Sequence, residues 1–145
     1  MKSPLEILQQ YFGYENFRLE QANAVKNVIS KKDTFVLMPT GGGKSLCYQV
    51  PALVLEGTTI VISPLIALMK DQVDALRVNG ISAAYINSSM SVYEQNDTFN
   101  QLKDGQLKLL YDAPEKLSAD NGAFLKLLND VNISLFAVDE AHCVS

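Results

Sequence analysis

The chain has 145 residues, 48% of them hydrophobic and 19% charged, which suits one soluble domain with a proper core and excludes a disordered or low-complexity protein. A formal net charge of −4 excludes a global field that would draw the chain to nucleic acid, so any such binding has to come from local contacts. The two cysteines, Cys47 and Cys143, make no zinc pattern with the single His142; no apolar run nears the roughly 20 residues of a membrane span; and Lys2, Pro4 and Glu6 do not make a secretory leader, so a reduced, cytoplasmic protein is expected.

Ser3, Pro4 and Glu6 form a capping box with proline at the first helical position, and Leu5, Leu8 and Phe12 share a face, which predicts a short helix ended by Gly13. A second helix is predicted over 19–30, with Leu19, Ala22, Val25, Val28 and Ile29 inward. The unbroken apolar run 35–38 reads as a strand buried on both faces of a parallel sheet, and residues 44–55 read as the helix after it. Residues 58–62 make a β-branched strand that stops at Ser63 and Pro64. The spacing of Leu65, Leu68, Met69, Val73 and Leu76 then predicts a helix closed by Asn79 and Gly80. A strand is predicted over 81–86, a helix capped by Ser91 and Glu94 up to Lys103, and a strand over 107–111 after the turn at Asp104 and Gly105. Asp120 caps a further helix, and residues 133–138 form the last strand. Strands alternating with helices predict an α/β fold, a parallel sheet with helices on both faces, whose functional loops lie at the carboxyl ends of the strands.

The chemistry gathers at two of those strand ends. Gly41, Gly42, Gly43, Lys44 and Ser45, after Met38, Pro39 and Thr40, make a loop whose backbone N–H groups can turn inward onto phosphates at a helix start. Lys44 would reach the β- and γ-phosphates, and Ser45 would supply a hydroxyl to Mg²⁺. The strict phosphate-loop pattern has glycine where this chain has Met38; a flexible Gly-rich turn with a solvated lysine is the alternative, and the strand before and helix after favour the nucleotide site. Asp139 and Glu140 end the last strand, where adjacent carboxylates are costly to bury without a metal or hydrogen-bond donors. Asp139 fits a Mg²⁺ ligand through water, and Glu140 fits the base that orients or deprotonates an attacking water; a solvated turn is the alternative.

Taken together and in order, Phe12, Gly13, Tyr14, Phe17, Arg18 and Gln21, then residues 38–49, 63–72, 113–117 and 139–145, resemble the RecQ family of superfamily 2 DNA helicases over nearly the whole chain. The resemblance also accounts for Met38. It implies a truncated RecA-like P-loop NTPase: residues 1–32 as amino-terminal helices with an adenine-recognition motif, and 33–145 as the P-loop core ending at the DEAH motif of a first motor domain. By the same resemblance Tyr14 would stack on adenine beside Arg18, and Gln21 would hold its edge with an amide that offers donor and acceptor together. From the residues alone Tyr14 reads rather as a core aromatic beside Phe12 and Phe17.

Ser63, Pro64, Lys70, Pro114, Glu115 and Lys116 resemble positions with which such motors hold single-stranded DNA, largely through N–H groups on phosphates. By themselves Ser63 and Pro64 read as a helix cap, and the two lysines as surface charges. His142 would couple the ATP site to DNA, Cys47 and Cys143 are packing residues, and Asp112 departs from the uncharged residue more usual in the family. Leu19 departs too, replacing a frequent proline, without harm to a helix. The resemblance implies a 3′-to-5′ DNA helicase of recombination and repair that uses ATP and Mg²⁺ and continues past Ser145 into a second RecA-like domain with an arginine finger. Without that finger, which is worth roughly 10³ to 10⁵ in rate, residues 1–145 alone are expected to hydrolyse ATP only in traces and not to unwind DNA. A stand-alone nucleotide-binding or scaffold module without turnover is the alternative. Finally, the strand that follows the acidic motif in such domains lies between the phosphate-loop strand and the acidic-motif strand. Without it, 35–38 and 135–138 are expected about 9.6 Å apart, two strand spacings.

Overall fold

In the computed structural model the described residues are 3–18, 21–30, 45–63, 66–87, 90–112 and 131–138. The expected phosphate-loop strand and loop, the helix after Asp120, the acidic motif, and with them the spacing between 35–38 and 135–138, lie outside the described residues. The chain divides into two compact units, Met1–Glu56 and Gly57–Ser145.

In the first unit, Ser3 caps α1 (Pro4–Ile7): its Oγ accepts from the Glu6 N–H at 3.2 Å, and the Glu6 carboxylate accepts from the Ser3 N–H at 3.3 Å. The helix continues as a π-helical turn over Leu8–Phe12 and ends at Gly13, whose φ of 75° is a left-handed conformation open to glycine without a Cβ penalty. Ile7 and Leu8 are buried, while Leu5, expected on one face with Leu8 and Phe12, is 38% exposed. In α2 (Gln21–Ile29) the buried positions are Gln21, Ala24 and Val25. Ala22, expected inward, is exposed, because the stripe centres on Val25 and the small methyl of Ala22 does little to pull it round. Helix α3 (Leu46–Val54) is buried on nearly every side and tolerates Pro51 within it, the Pro51 carbonyl still accepting from Leu55 N–H at 2.8 Å. Ile7, Leu8, Val25, Leu46, Val50 and Val54 form the core of this unit, with Tyr11, Phe12, Phe17, Ile29 and Leu53 packed on it.

The second unit is a four-stranded parallel sheet in the order β2-β3-β1-β4, built from β1 (Thr58–Ile62), β2 (Ala83–Ile86), β3 (Leu109–Asp112) and β4 (Ile133–Val138). All five residues of β1 are buried, as its continuous β-branched run requires of an interior strand. Helix α4 (Ile66–Val78) carries the chain from β1 outward past β3's place to β2, and α5 (Val92–Lys103) brings it back to β3. With right-handed crossovers, that reversal of direction places α4 and α5 on opposite faces of the sheet. Alternate residues Ile60, Ile62, Ala84, Ile86 and Leu110 form one face of the core with Leu102 and Phe99 of α5. Val61, Leu109 and Tyr111 of the other face are wholly buried, as are Met69, Val73 and Leu76 of α4 to within 2%. The fold class read from the sequence is therefore present in this unit.

Candidate functional site

The parallel register brings all four strands of the sheet to an end at one level: Ile62 pairs with Asp112 on one side and with Val138 on the other, and Ile86 pairs with Asp112. The residues that leave these ends are polar yet enclosed. Ser63 is 1% exposed, Asn87 3% and Asp112 0%. The Ser63 N–H donates to the Asp112 carbonyl at 2.9 Å, so β1 stays paired one residue past its last ladder position and holds the start of the Ser63 loop against β3. Asn87, not singled out in the sequence, donates its N–H to Met90 Sδ at 3.4 Å; its signal was an amide placed directly after the strand Ala83–Ile86. Pro64, Pro114, Glu115, Lys116, Asp139, Glu140 and His142 lie outside the described residues, as do Thr40, Gly41, Gly42, Gly43 and Lys44.

Lys70 lies in the second turn of α4 with its side chain 61% exposed, and its Nζ donates to Asp74 Oδ2 at 3.0 Å. Asp74, with smaller parts from Tyr85 and then Asp71, holds the Lys70 ammonium above the usual lysine range. Asp74 was also missed from the sequence, although its i,i+4 spacing from Lys70 is the signal for such a pair.

In the other unit, Gly13 turns the chain so that Tyr14 stands half exposed beside an open groove of about 480 Å³, lined also by Gln9, Glu15 and Asn16. Gln9 Nε2 donates to the Glu15 carbonyl at 3.1 Å and pins the far side of that groove. Gln21 is 1% exposed, and its Oε1 accepts from the Arg18 N–H at 2.7 Å, which ties the start of α2 to the segment before it. Ser45 stands at the start of α3 with helical φ and ψ of −64° and −27°, and its hydroxyl makes no capping bond to the helix. Cys47, two residues on, is 5% exposed, and burial pushes its thiol up to about 11, so it is neutral at pH 7 and behaves as a packing group. A half-exposed aromatic over a groove and a serine hydroxyl not engaged in capping, at the start of a helix, are compatible with an adenine and with Mg²⁺ respectively.

Among the described residues no helix is long and apolar enough to cross a membrane, and no group of three or more His, Cys, Asp or Glu side chains could hold a metal ion. A family model described as DEAD/DEAH box helicase matches residues 18–145. The chain is 54% identical over 140 residues to the ATP-dependent DNA helicase RecQ of Bacillus subtilis (strain 168), covering 96% of this chain and 23% of that protein. It is 50% identical over 144 residues to the ATP-dependent DNA helicase RecQ of Pasteurella multocida (strain Pm70), covering 99% of this chain and 22% of that protein. With the ATP-dependent helicase SGS1 of Saccharomyces cerevisiae (strain ATCC 204508 / S288c) it shares 47% identity over 145 residues, 95% of this chain and 10% of that protein. The chain thus spans less than a quarter of the length of these relatives.

Proposed function

Since the chain belongs to the DEAD/DEAH box helicase family and its kinship there is with RecQ members, we propose that it is the ATP-binding part of the first motor domain of a 3′-to-5′ DNA helicase. The observation that carries this reading beyond kinship is the level ending of β1, β3 and β4 at Ile62, Asp112 and Val138 in one parallel sheet. Ser63, Ala113 and Asp139 follow those ends in the sequence, so the two DNA-contact segments and the acidic motif issue from one sheet edge, where ligands of open α/β sheets bind.

In this reading residues 1–32 present the adenine-recognition motif, and 33–145 form the P-loop core ending at the DEAH motif. Tyr14 offers its exposed ring to adenine. Gln21, whose Oε1 accepts from Arg18 N–H, would hold the adenine edge with its amide, with Arg18 beside it. Thr40, Gly41, Gly42, Gly43 and Lys44 cradle the phosphates, and Ser45 with Asp139 holds Mg²⁺. Bound Mg·ATP supplies the phosphoryl bond whose hydrolysis drives the motor. Glu140 takes a proton from the attacking water, and His142 relays between that site and DNA held by Ser63, Pro64, Lys70, Pro114, Glu115 and Lys116. Turnover needs an arginine finger from a second RecA-like domain.

Calorimetric titration with Mg·ATP tests the binding half of this reading. The chain is expected to bind weakly, and Lys44→Ala to abolish the heat; equal binding by both removes the phosphate-loop assignment. In a polypeptide that also carries the second motor domain, Glu140→Gln is expected to keep ATP binding and lose hydrolysis, because an amide hydrogen-bonds but cannot take the proton. Retained turnover there removes Glu140 from the mechanism.

A further inference from the structure

Lys70 is the described candidate for a DNA contact that carries a positive charge, and its ammonium is already committed to a carboxylate on its own helix. The pair Lys70 Nζ to Asp74 Oδ2, at 3.0 Å, lies one turn apart on α4, with Asp71 adjacent in sequence and Tyr85 of β2 also within electrostatic reach. One lysine therefore faces two aspartates of the same helix within electrostatic reach, and the local balance of this turn is acidic. A DNA phosphate approaching Lys70 meets the negative charge of Asp74 at the atom it seeks.

We propose that Asp74 is an affinity-setting residue for DNA: it holds the Lys70 ammonium in the free protein and yields it when a phosphate arrives, so that each binding event exchanges an internal carboxylate for a backbone phosphate. This rests on the reading of Lys70 as a phosphate contact. Two consequences follow from the exchange. Binding is weaker than a bare lysine would make it, as suits a motor that has to release its strand at every step. The carboxylate left behind also recovers a cation from solution, so part of the counterion release that normally accompanies a lysine–phosphate contact is cancelled. An ammonium has three donors, and a phosphate can share Lys70 with Asp74 without full displacement, but repulsion between the two anions then acts in the same direction.

The test is a four-protein cycle of wild type, Lys70→Ala, Asp74→Asn and the double variant, titrated onto a fluorescein-labelled oligodeoxythymidylate by anisotropy at several salt concentrations. Both side chains are more than half exposed, so all four proteins are expected to fold, which circular dichroism checks. Asp74→Asn is expected to bind roughly twofold tighter at low salt when Lys70 is present, the scale of a helix-surface ion pair, with a steeper salt dependence. In the Lys70→Ala background the same change is expected to leave only the small effect of one fewer negative charge. Equal affinities of wild type and Lys70→Ala overturn the reading of Lys70 and the inference with it. A weaker Lys70→Ala together with an unchanged or weaker Asp74→Asn leaves that reading standing and overturns the inference alone, since Asp74 would then be inert or would be orienting Lys70 for DNA. An Asp74→Asn gain of the same size in both backgrounds likewise overturns it, because the effect would not pass through Lys70.

Discussion

Gln21 shows how one side chain can serve two ends. Its buried carbonyl oxygen accepts from the Arg18 N–H at 2.7 Å, so it shapes the turn that presents Arg18, and in the proposed function the same amide would read a base. Gln21→Ala is therefore expected to act twice: it leaves a backbone donor without its acceptor, at about 1 kcal/mol of stability, and it relaxes the preference for ATP over GTP. Denaturant midpoints and competitive nucleotide titrations on the same protein check both arms, and unchanged selectivity with lowered stability returns Gln21 to a purely structural role. The nucleotide reading rests on residue types in order, three glycines followed by lysine and serine after an apolar run, and most of those residues lie outside the described ones. What was not legible at this scale was the engagement of side chains with their own neighbours. Gln21 with Arg18 and Lys70 with Asp74 stand three and four residues apart, a spacing that permits each bond without establishing that it is made.

At the scale of elements, local signals located the pieces and tertiary pairing trimmed their ends. β1 and β4 begin and end as the sequence predicts because each is an unbroken run of residues suited to a sheet interior, but β2 and β3 both start two residues late. Ile81 and Leu107 are buried as expected, yet the Ile81 N–H closes onto the Leu76 carbonyl at the end of α4, and the Leu107 carbonyl accepts from Thr58 Oγ1. Strand propensity reads the side chains and cannot see where the ladder begins. The same pairing makes Gly57 decisive. It has φ 95°, and a Cβ there would lie 2.5 Å from the Asn132 carbonyl oxygen, the atom that accepts from Thr58 N–H at 2.8 Å where β1 meets β4. Just beyond, Ser134 is skipped in the register between Thr58 and Thr59, and its Oγ lies 3.3 Å from Thr59 Oγ1. Gly57→Ala combines a disfavoured φ with a backbone clash and is expected to cost about 1–3 kcal/mol, read as a lower urea midpoint. An unchanged midpoint would show that this end of the β1–β4 pair gives way freely.

For the whole molecule, the balance of charge sets how DNA can be held. With a net charge of −4, the chain has no general attraction for a polyanion, and the candidate contacts supply two lysines, Lys70 and Lys116. If those are the phosphate-neutralising groups, the plot of log K against log salt for a single strand has a slope no steeper than about −1.4, at about 0.7 per contact. Anisotropy titrations across salt measure it, and a much steeper slope would mean that other cations do the holding. The order β2-β3-β1-β4 was beyond local reading, since periodicity reports which face of a strand is buried and not which strand lies beside it. That order has a consequence in time. Thr59 of β1 meets Ser134, 75 residues later in the chain, and the other neighbour of β1 begins at Leu109. A ribosome adding about 5–20 residues per second makes the strand Thr58–Ile62 roughly 4–15 s before the last strand to flank it exists. For much of that interval, until Leu109–Asp112 is made, the fully buried strand Thr58–Ile62 has neither of its described neighbours, and the nascent chain depends on whatever shelters it until synthesis catches up.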